Sequence, residues 1–199
     1  MLTNKLLLIL LTTAVISCGG GGSSSNTPSN GSTSTPVNYS WSISTTYIAD
    51  GGPGKDGIPS LDYPGFKSID DTSYVFANDL IIGINVDGVV KGYPHKVLDW
   101  HEVVNDEIGN DKYVLSYCPL TGSAIAWPLD SRTGNTEFGV SGLLFNSNLI
   151  LYDRVTDSYW PQMLMKSARG PKDGASANQK LVFETTWQTF KQMYPQAKV

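Results

Sequence analysis

The chain has 199 residues, 40% of them hydrophobic and 16% charged. That suits one globular domain with tails, and excludes both a multi-pass membrane protein and a wholly disordered chain. Lys and Arg total 14 against 18 Asp and Glu, a net charge of -4. No block of cations exists to track a phosphate backbone, so no nucleic-acid partner is expected.

A single cation, Lys5, precedes the uncharged run Leu6 to Ile16, which is too short and too poorly flanked for a spanning helix. It predicts a signal peptide over residues 1–17. The run ends in Val15-Ile16-Ser17-Cys18, which resembles the bacterial lipobox, where a small residue precedes a cysteine that is acylated before cleavage. The resemblance implies a lipidated Cys18 at the mature N-terminus and membrane lipid as the first partner. Gly19 after that cysteine is similar to the outer-membrane sorting pattern. The expected location is therefore the bacterial envelope, with the outer membrane favoured over the inner and the domain facing the periplasm or the exterior.

Positions 19–49 hold no Asp, Glu, Lys or Arg, and are rich in Gly, Ser, Thr, Asn and Pro as far as Thr35-Pro36. Together with Cys18 they are expected to form a flexible tether over 18–49, leaving a single globular domain over 50–199. The domain opens on Asp50 to Pro59, dense in turn residues and expected to be irregular.

Regular structure is expected further on. Leu80 to Val86 and Val89 to Tyr93 are apolar, β-branched arms around Asp87-Gly88, the signature of a tight hairpin. Trp100 to Ile108 and Asp111 to Cys118 flank Gly109-Asn110 and predict a second hairpin with a type II′ turn. In that register Ile108 faces Asp111, Val104 faces Leu115, and His101 falls opposite Cys118. Glu137 to Phe145 and Asn148 to Tyr152 read as two more strands. Thr185-Thr186-Trp187-Gln188 resembles a capping box, with Trp187, Phe190 and Tyr194 at helical spacing and Pro195 as a stop. The expected fold is α+β and β-dominated: antiparallel hairpins in a sheet or partly closed barrel, long irregular loops and a short C-terminal helix.

Several blocks then stand out: Asp56-Gly57-Ile58-Pro59, Tyr93-Pro94, Trp100-His101-Glu102 with Asn105-Asp106, Tyr117-Cys118-Pro119-Leu120-Thr121-Gly122, Phe138 to Leu144, and Tyr152-Asp153-Arg154 with Trp160. In this order they resemble the prokaryotic domain-of-unknown-function family 3179. The resemblance supplies residues to suspect rather than a reaction. Family members often carry a second cysteine where this chain has Thr121, so Cys118 lacks the resolving partner that dithiol chemistry requires.

The chemistry expected from these residues centres on Cys118 and His101. An imidazole within reach of a thiol draws off its proton and leaves either a nucleophile or a soft metal ligand. With His95 the pair becomes a three-donor metal set. A thioether from Met163 or Met165 would suit copper, and a carboxylate from Asp99 or Glu102 would suit zinc. The leading expectation is a lipid-anchored binding protein for a metal ion or small ligand. A thiol enzyme is the alternative, with Cys118 as nucleophile, His101 as base and Thr121 as a hydrogen-bond donor, and a purely structural envelope protein is a third. Structural readings also stand: Cys118 as a small buried hydrophobe, and His101 as a histidine satisfied by Glu102 or a carbonyl. Asp153 and Arg154 would either pair to fix a turn or present a fork for an anion. Trp100, Trp127 and Trp160 read as core or pocket-wall aromatics. Ser141 lacks the Gly-x-Ser-x-Gly pattern of a hydrolase elbow.

Overall fold

The structure is a computed structural model that describes residues 38–199. The expected signal peptide and Cys18 lie outside the described residues. Within them the strands form three open sheets rather than a barrel.

The Asp-Gly hairpin forms as its sequence dictates. Strands β1 (Ile48–Asp50) and β2 (Leu61–Asp62) come first, then β3 (Leu80–Val86) and β4 (Val89–Pro94), which pair antiparallel with Val86 opposite Val89. Asp87 and Gly88 both take positive φ, 50° and 87°, as a type I′ turn requires. Ile81, Ile82 and Ile84 are fully buried because β3 is covered on both faces. The cross-strand neighbours Gly83 and Gly92 make room for Phe183 and Phe190: a Cβ at Gly83 would come within 2.1 Å of the Phe183 ring.

A helix the sequence did not announce follows at once, α1 (His95–His101), and its only buried residue is Leu98. It replaces the first part of the expected second hairpin. Strand β5 therefore begins late, at Val103–Ile108, and pairs with β6 (Asp111–Cys118) in the expected register, Ile108 opposite Asp111 and Val104 opposite Leu115. The sheet β2-β5-β6-β7, with β7 at Ser123–Pro128, divides the protein. Tyr113, Leu115 and Tyr117 face a core shared with β3 and β4, while Val114 and Cys118 face a second core shared with the next strands. The period of two along β6 thus separates two hydrophobic layers.

That second core is closed by β8 (Phe138–Phe145), β9 (Asn148–Asp153) and β10 (Tyr159–Pro161), which with β1 form a sheet ordered β1-β8-β9-β10. Asn146 and Ser147, at φ 49° and 63°, make the β8–β9 turn. Finally β11 (Phe183–Thr186) pairs with β3 and leads into α2 (Trp187–Met193). The helix starts one residue later than the expected capping box: Thr186, not Thr185, accepts the Thr189 N–H.

Ordered structure begins before Asp50. Trp41 meets the Tyr159 ring edge-on at 5.3 Å, and the Ser42 amide donates to the Ala168 carbonyl at 2.8 Å. Beyond them, β1 pairs with β8. Residues 41–50 therefore cross from the β10 edge of the sheet to its β8 edge. Apolar side chains such as Trp41 and Ile48 in an uncharged tract are what permits this docking.

Candidate functional site

Cys118 and His101 do not meet. Cys118 is 1% exposed and belongs to the core with Val103, Val114, Trp127 and Trp160, its thiol 3.9 Å from the Ser147 carbonyl. His101 ends α1, and its Nδ1 lies 2.9 Å from the Pro59 carbonyl oxygen. A carbonyl only accepts, so Nδ1 carries the proton. The register holds as far as Val103, but His101 is turned away with the helix, and this corrects the expected dyad. His95, at the other end of α1, lies against the Tyr117 ring at 4.5 Å, with Nε2 2.9 Å from a Glu184 oxygen. That approach lies off the hydrogen-bond line, so the buried Nε2 is left without an aligned partner. Among the described residues no three His, Cys, Asp or Glu side chains come together as metal ligands, so the expected copper or zinc set of His95, His101 and Cys118 does not assemble.

Asp153 and Arg154 also part: Asp153 is the last residue of β9 and Arg154 the first of the turn after it. Asp153 is fully buried and accepts from the Thr156 amide at 2.6 Å and the Trp160 Nε1 at 3.1 Å. It fixes the turn after β9 without Arg154. Arg154 donates to the Tyr152 hydroxyl and to Ser60, both at 2.9 Å, and stands 3.4 Å from Asp56, leaving no open fork for an anion. Trp127 and Trp160 are core residues as expected, whereas Trp100 is 76% exposed at the end of α1. Ser141 donates to the Ile150 carbonyl at 2.5 Å and accepts from the Leu143 amide at 3.1 Å, which secures an irregularity in β8.

The blocks converge elsewhere, around the Pro119–Gly122 turn. On one side lies a crevice of about 60 Å³ whose lining includes Ile58, Glu102, Leu120, Gly142, Leu143 and Leu144. The loop over it is fixed by backbone bonds, Gly51 to the Gly142 carbonyl at 2.8 Å and Asp56 to the Val140 carbonyl at 2.9 Å. Gly142, at φ 78°, allows this: a Cβ there would stand 2.5 Å from the Gly54 backbone. Glu102 caps α1 at φ 57°, ψ −32°, with its amide donating to the Leu98 carbonyl at 2.8 Å. Helices that end on positive φ favour glycine there, and other residues in sparsely populated regions cost of order 1–3 kcal/mol. Burial pushes the Glu102 carboxyl above its ordinary range, since the charged form loses hydration.

On the other side of the turn is a hollow of about 180 Å³ lined by Thr121, Phe145, Asn146, Asn148, Pro161, Met163 and Leu164. Its polar floor has its hydrogens assigned by necessity. Gln162 approaches the Ser123 carbonyl at 3.2 Å, and because a carbonyl only accepts, that atom is Nε2 and Oε1 points the other way. Oε1 then accepts from the Ser123 hydroxyl at 2.8 Å and from the Asn148 amide at 2.7 Å. With the Ser123 proton committed, the Thr121 hydroxyl donates to Ser123 at 2.8 Å and accepts from Asn148 at 2.9 Å. What remains at the floor is acceptor capacity, at Asn148 Oδ1 and Thr121 Oγ1. Asn148 and Gln162 were not singled out by the sequence reading. The signal for Asn148 was a polar residue opening the run Leu149 to Tyr152 in a strand that is buried throughout.

A larger hollow, about 490 Å³, lies between the two hairpin tips and is lined by Val86, Asp87, Val89 and Ile108 to Asp111. It is open and built mainly from turns, with no convergent set of buried polar groups, so volume alone does not mark the site.

No curated protein and no solved structure matches the chain. The sequence profile described as protein of unknown function (DUF3179) matches residues 55–199. That span takes in the Asp56 loop, Glu102, the Cys118–Gly122 turn, β8 and β9. The chain belongs to the DUF3179 family.

Proposed function

We propose that this is a lipid-anchored protein of the bacterial envelope, held by an acylated Cys18 and favouring the outer membrane, that binds a small hydrogen-bond-donating ligand beside Thr121. The anchoring half rests on the leader, the Ser17-Cys18 junction and the uncharged tether. The binding half rests on one observation: the Ser116–Ser123–Asn148–Gln162 network uses up its own donors and leaves acceptor capacity at Asn148 and Thr121, both of which line a hollow walled by Phe145, Met163 and Leu164. Such a floor selects a ligand that donates, through a hydroxyl, amide or amine group, and carries an apolar portion. The thiol-enzyme alternative has less support, because Cys118 is buried and, among the described residues, its thiol meets the Ser147 carbonyl rather than a base.

Binding is tested on the chain from Asn38 by NMR titration with small alcohols, primary amides and matched ethers that cannot donate. Donors should shift the Asn148 side-chain amide and the Met163 methyl while ethers do not. Equal responses to ethers and alcohols, or no response to any probe, would overturn the binding reading. Anchoring is tested separately, by acyl labelling of the full chain beside Cys18→Ser.

A further inference from the structure

We propose that the crevice at Glu102 is a second binding site, for a primary alkylammonium group, with the Glu102 carboxylate taking the charge and Leu120, Leu143 and Leu144 the alkyl chain. It goes beyond the hollow beside Thr121, because the two linings share no residue.

The argument starts from what Glu102 lacks. Among the described residues its side chain has no ion pair and no hydrogen bond, although burial withdraws it partly from water. A half-buried carboxylate with no protein partner keeps only part of its hydration, so a cation brought to it meets a charge that nothing else in the protein engages. The neighbouring cations are already engaged: Lys55 pairs with Asp157, and Arg154 with Asp56, Tyr152 and Ser60. The rest of the lining is glycine, proline and aliphatic side chains.

That chemistry narrows the ligand. A lone carboxylate among aliphatic groups does not offer the six or so oxygens a hard divalent cation takes. An anion would be repelled. An ammonium group with three donors and a short alkyl neck satisfies both the charge and the walls, and a volume of about 60 Å³ matches roughly two water molecules at ~30 Å³ each. Leu120, 69% exposed at the rim, gives a longer chain a surface to lie on. The site is also held in place: Glu102 sits at positive φ where a helix end favours glycine, and the Gly51–Ile58 loop is tied to β8 by the two backbone bonds already described. The net charge of -4 draws cations toward the protein.

The test titrates the full chain with n-butylammonium, n-butanol and n-butyrate, read by NMR shifts and calorimetry. Butylammonium should move the Glu102, Leu120 and Leu143 amides, butanol and butyrate should not, and Glu102→Gln should weaken butylammonium by about tenfold or more. Leu120→Ser keeps the carboxylate and should weaken hexylammonium more than methylammonium. Equal binding of butanol, undiminished binding by Glu102→Gln, or shifts centred on Asn148 and Met163 instead would each overturn the proposal.

Discussion

Asn105 and Phe138 exchange a pair of hydrogen bonds, the Asn105 amide donating to the Phe138 carbonyl at 2.8 Å and the Phe138 N–H donating to Asn105 Oδ1 at 2.8 Å. A side chain on β5 thereby does for β8 what a neighbouring strand would do. Since Asn105 is fully buried and also donates to Asp62 at 2.6 Å, it joins two sheets and the β2 segment through one amide.

Asn105→Ala should therefore cost about 2–4 kcal/mol in urea unfolding, because it strands two buried backbone groups. Asn105→Asp should be no better at neutral pH, since a carboxylate cannot donate to Phe138 and would face Asp62. Retention of wild-type stability by the Asp variant would show that the donor half of the exchange is dispensable.

The two hairpins are joined by a buried ion pair. Lys91 contacts Asp106 at 2.8 Å, with side-chain exposures of 18% and 3%, and Asp106 also accepts from Tyr93 at 2.7 Å. Removing one partner leaves the other charge buried, so Lys91→Met or Asp106→Asn should each cost about 3–5 kcal/mol. The double variant should recover part of that loss. Simple additivity in the double-mutant cycle would mean that the two groups are not coupled.

Alkaline titration should reveal the phenols. Burial, with Tyr113 and Asp106 beside it, holds Tyr93 far above the ordinary tyrosine value of 10.0. Burial likewise raises Tyr113, and burial with the Glu137 hydrogen bond pushes Tyr63 up to about 12. Folded values above unfolded ones mean stability that is complete below pH 10 and lost as pH rises through the folded values. Tyrosinate absorbance from the buried Tyr93–Tyr113 pair should therefore appear only well above pH 10 and together with loss of the fold. Ionisation of all ten tyrosines near pH 10 with native circular dichroism intact would contradict this.

Cys118 should behave as a core residue. Peptide-resolved alkylation should be slow under native conditions, accelerate with urea and be unchanged in His101→Ala. Rapid native labelling that the His101 variant abolishes would restore the dyad.

What could be read in the sequence was local or periodic. The Asp87-Gly88 turn and the Ile108–Asp111 register follow from two-residue loops whose chemistry is fixed. Helix α1 was hidden because it buries Leu98 alone, so no apolar stripe marks it, and the apolar residues after it read as one long strand. That single misreading placed His101 opposite Cys118. β1, β2 and β10 are two or three residues long, too short for alternation, and exist through partners distant in sequence. The Thr121 block was legible as a place to look, but its chemistry depends on Asn148 and Gln162, brought there by β9 and the segment after β10. Glu102 was noted beside His101, yet its placement at the end of α1 follows from a backbone angle that no residue pattern announces.

The crossing of residues 41–50 over the sheet has a mechanical meaning for a chain tethered at its N-terminus. A pull arriving through Asn38 loads Trp41 and Ser42 at the β10 edge before it reaches β1 at the other edge. Tension is thus met first by an edge-on aromatic contact and the Ser42–Ala168 hydrogen bond at one margin, and only then by the ladder that borders the Glu102 crevice. In a chain anchored as proposed, the strap would work as a strain relief, absorbing drag before it distorts the sheet beside the Glu102 crevice.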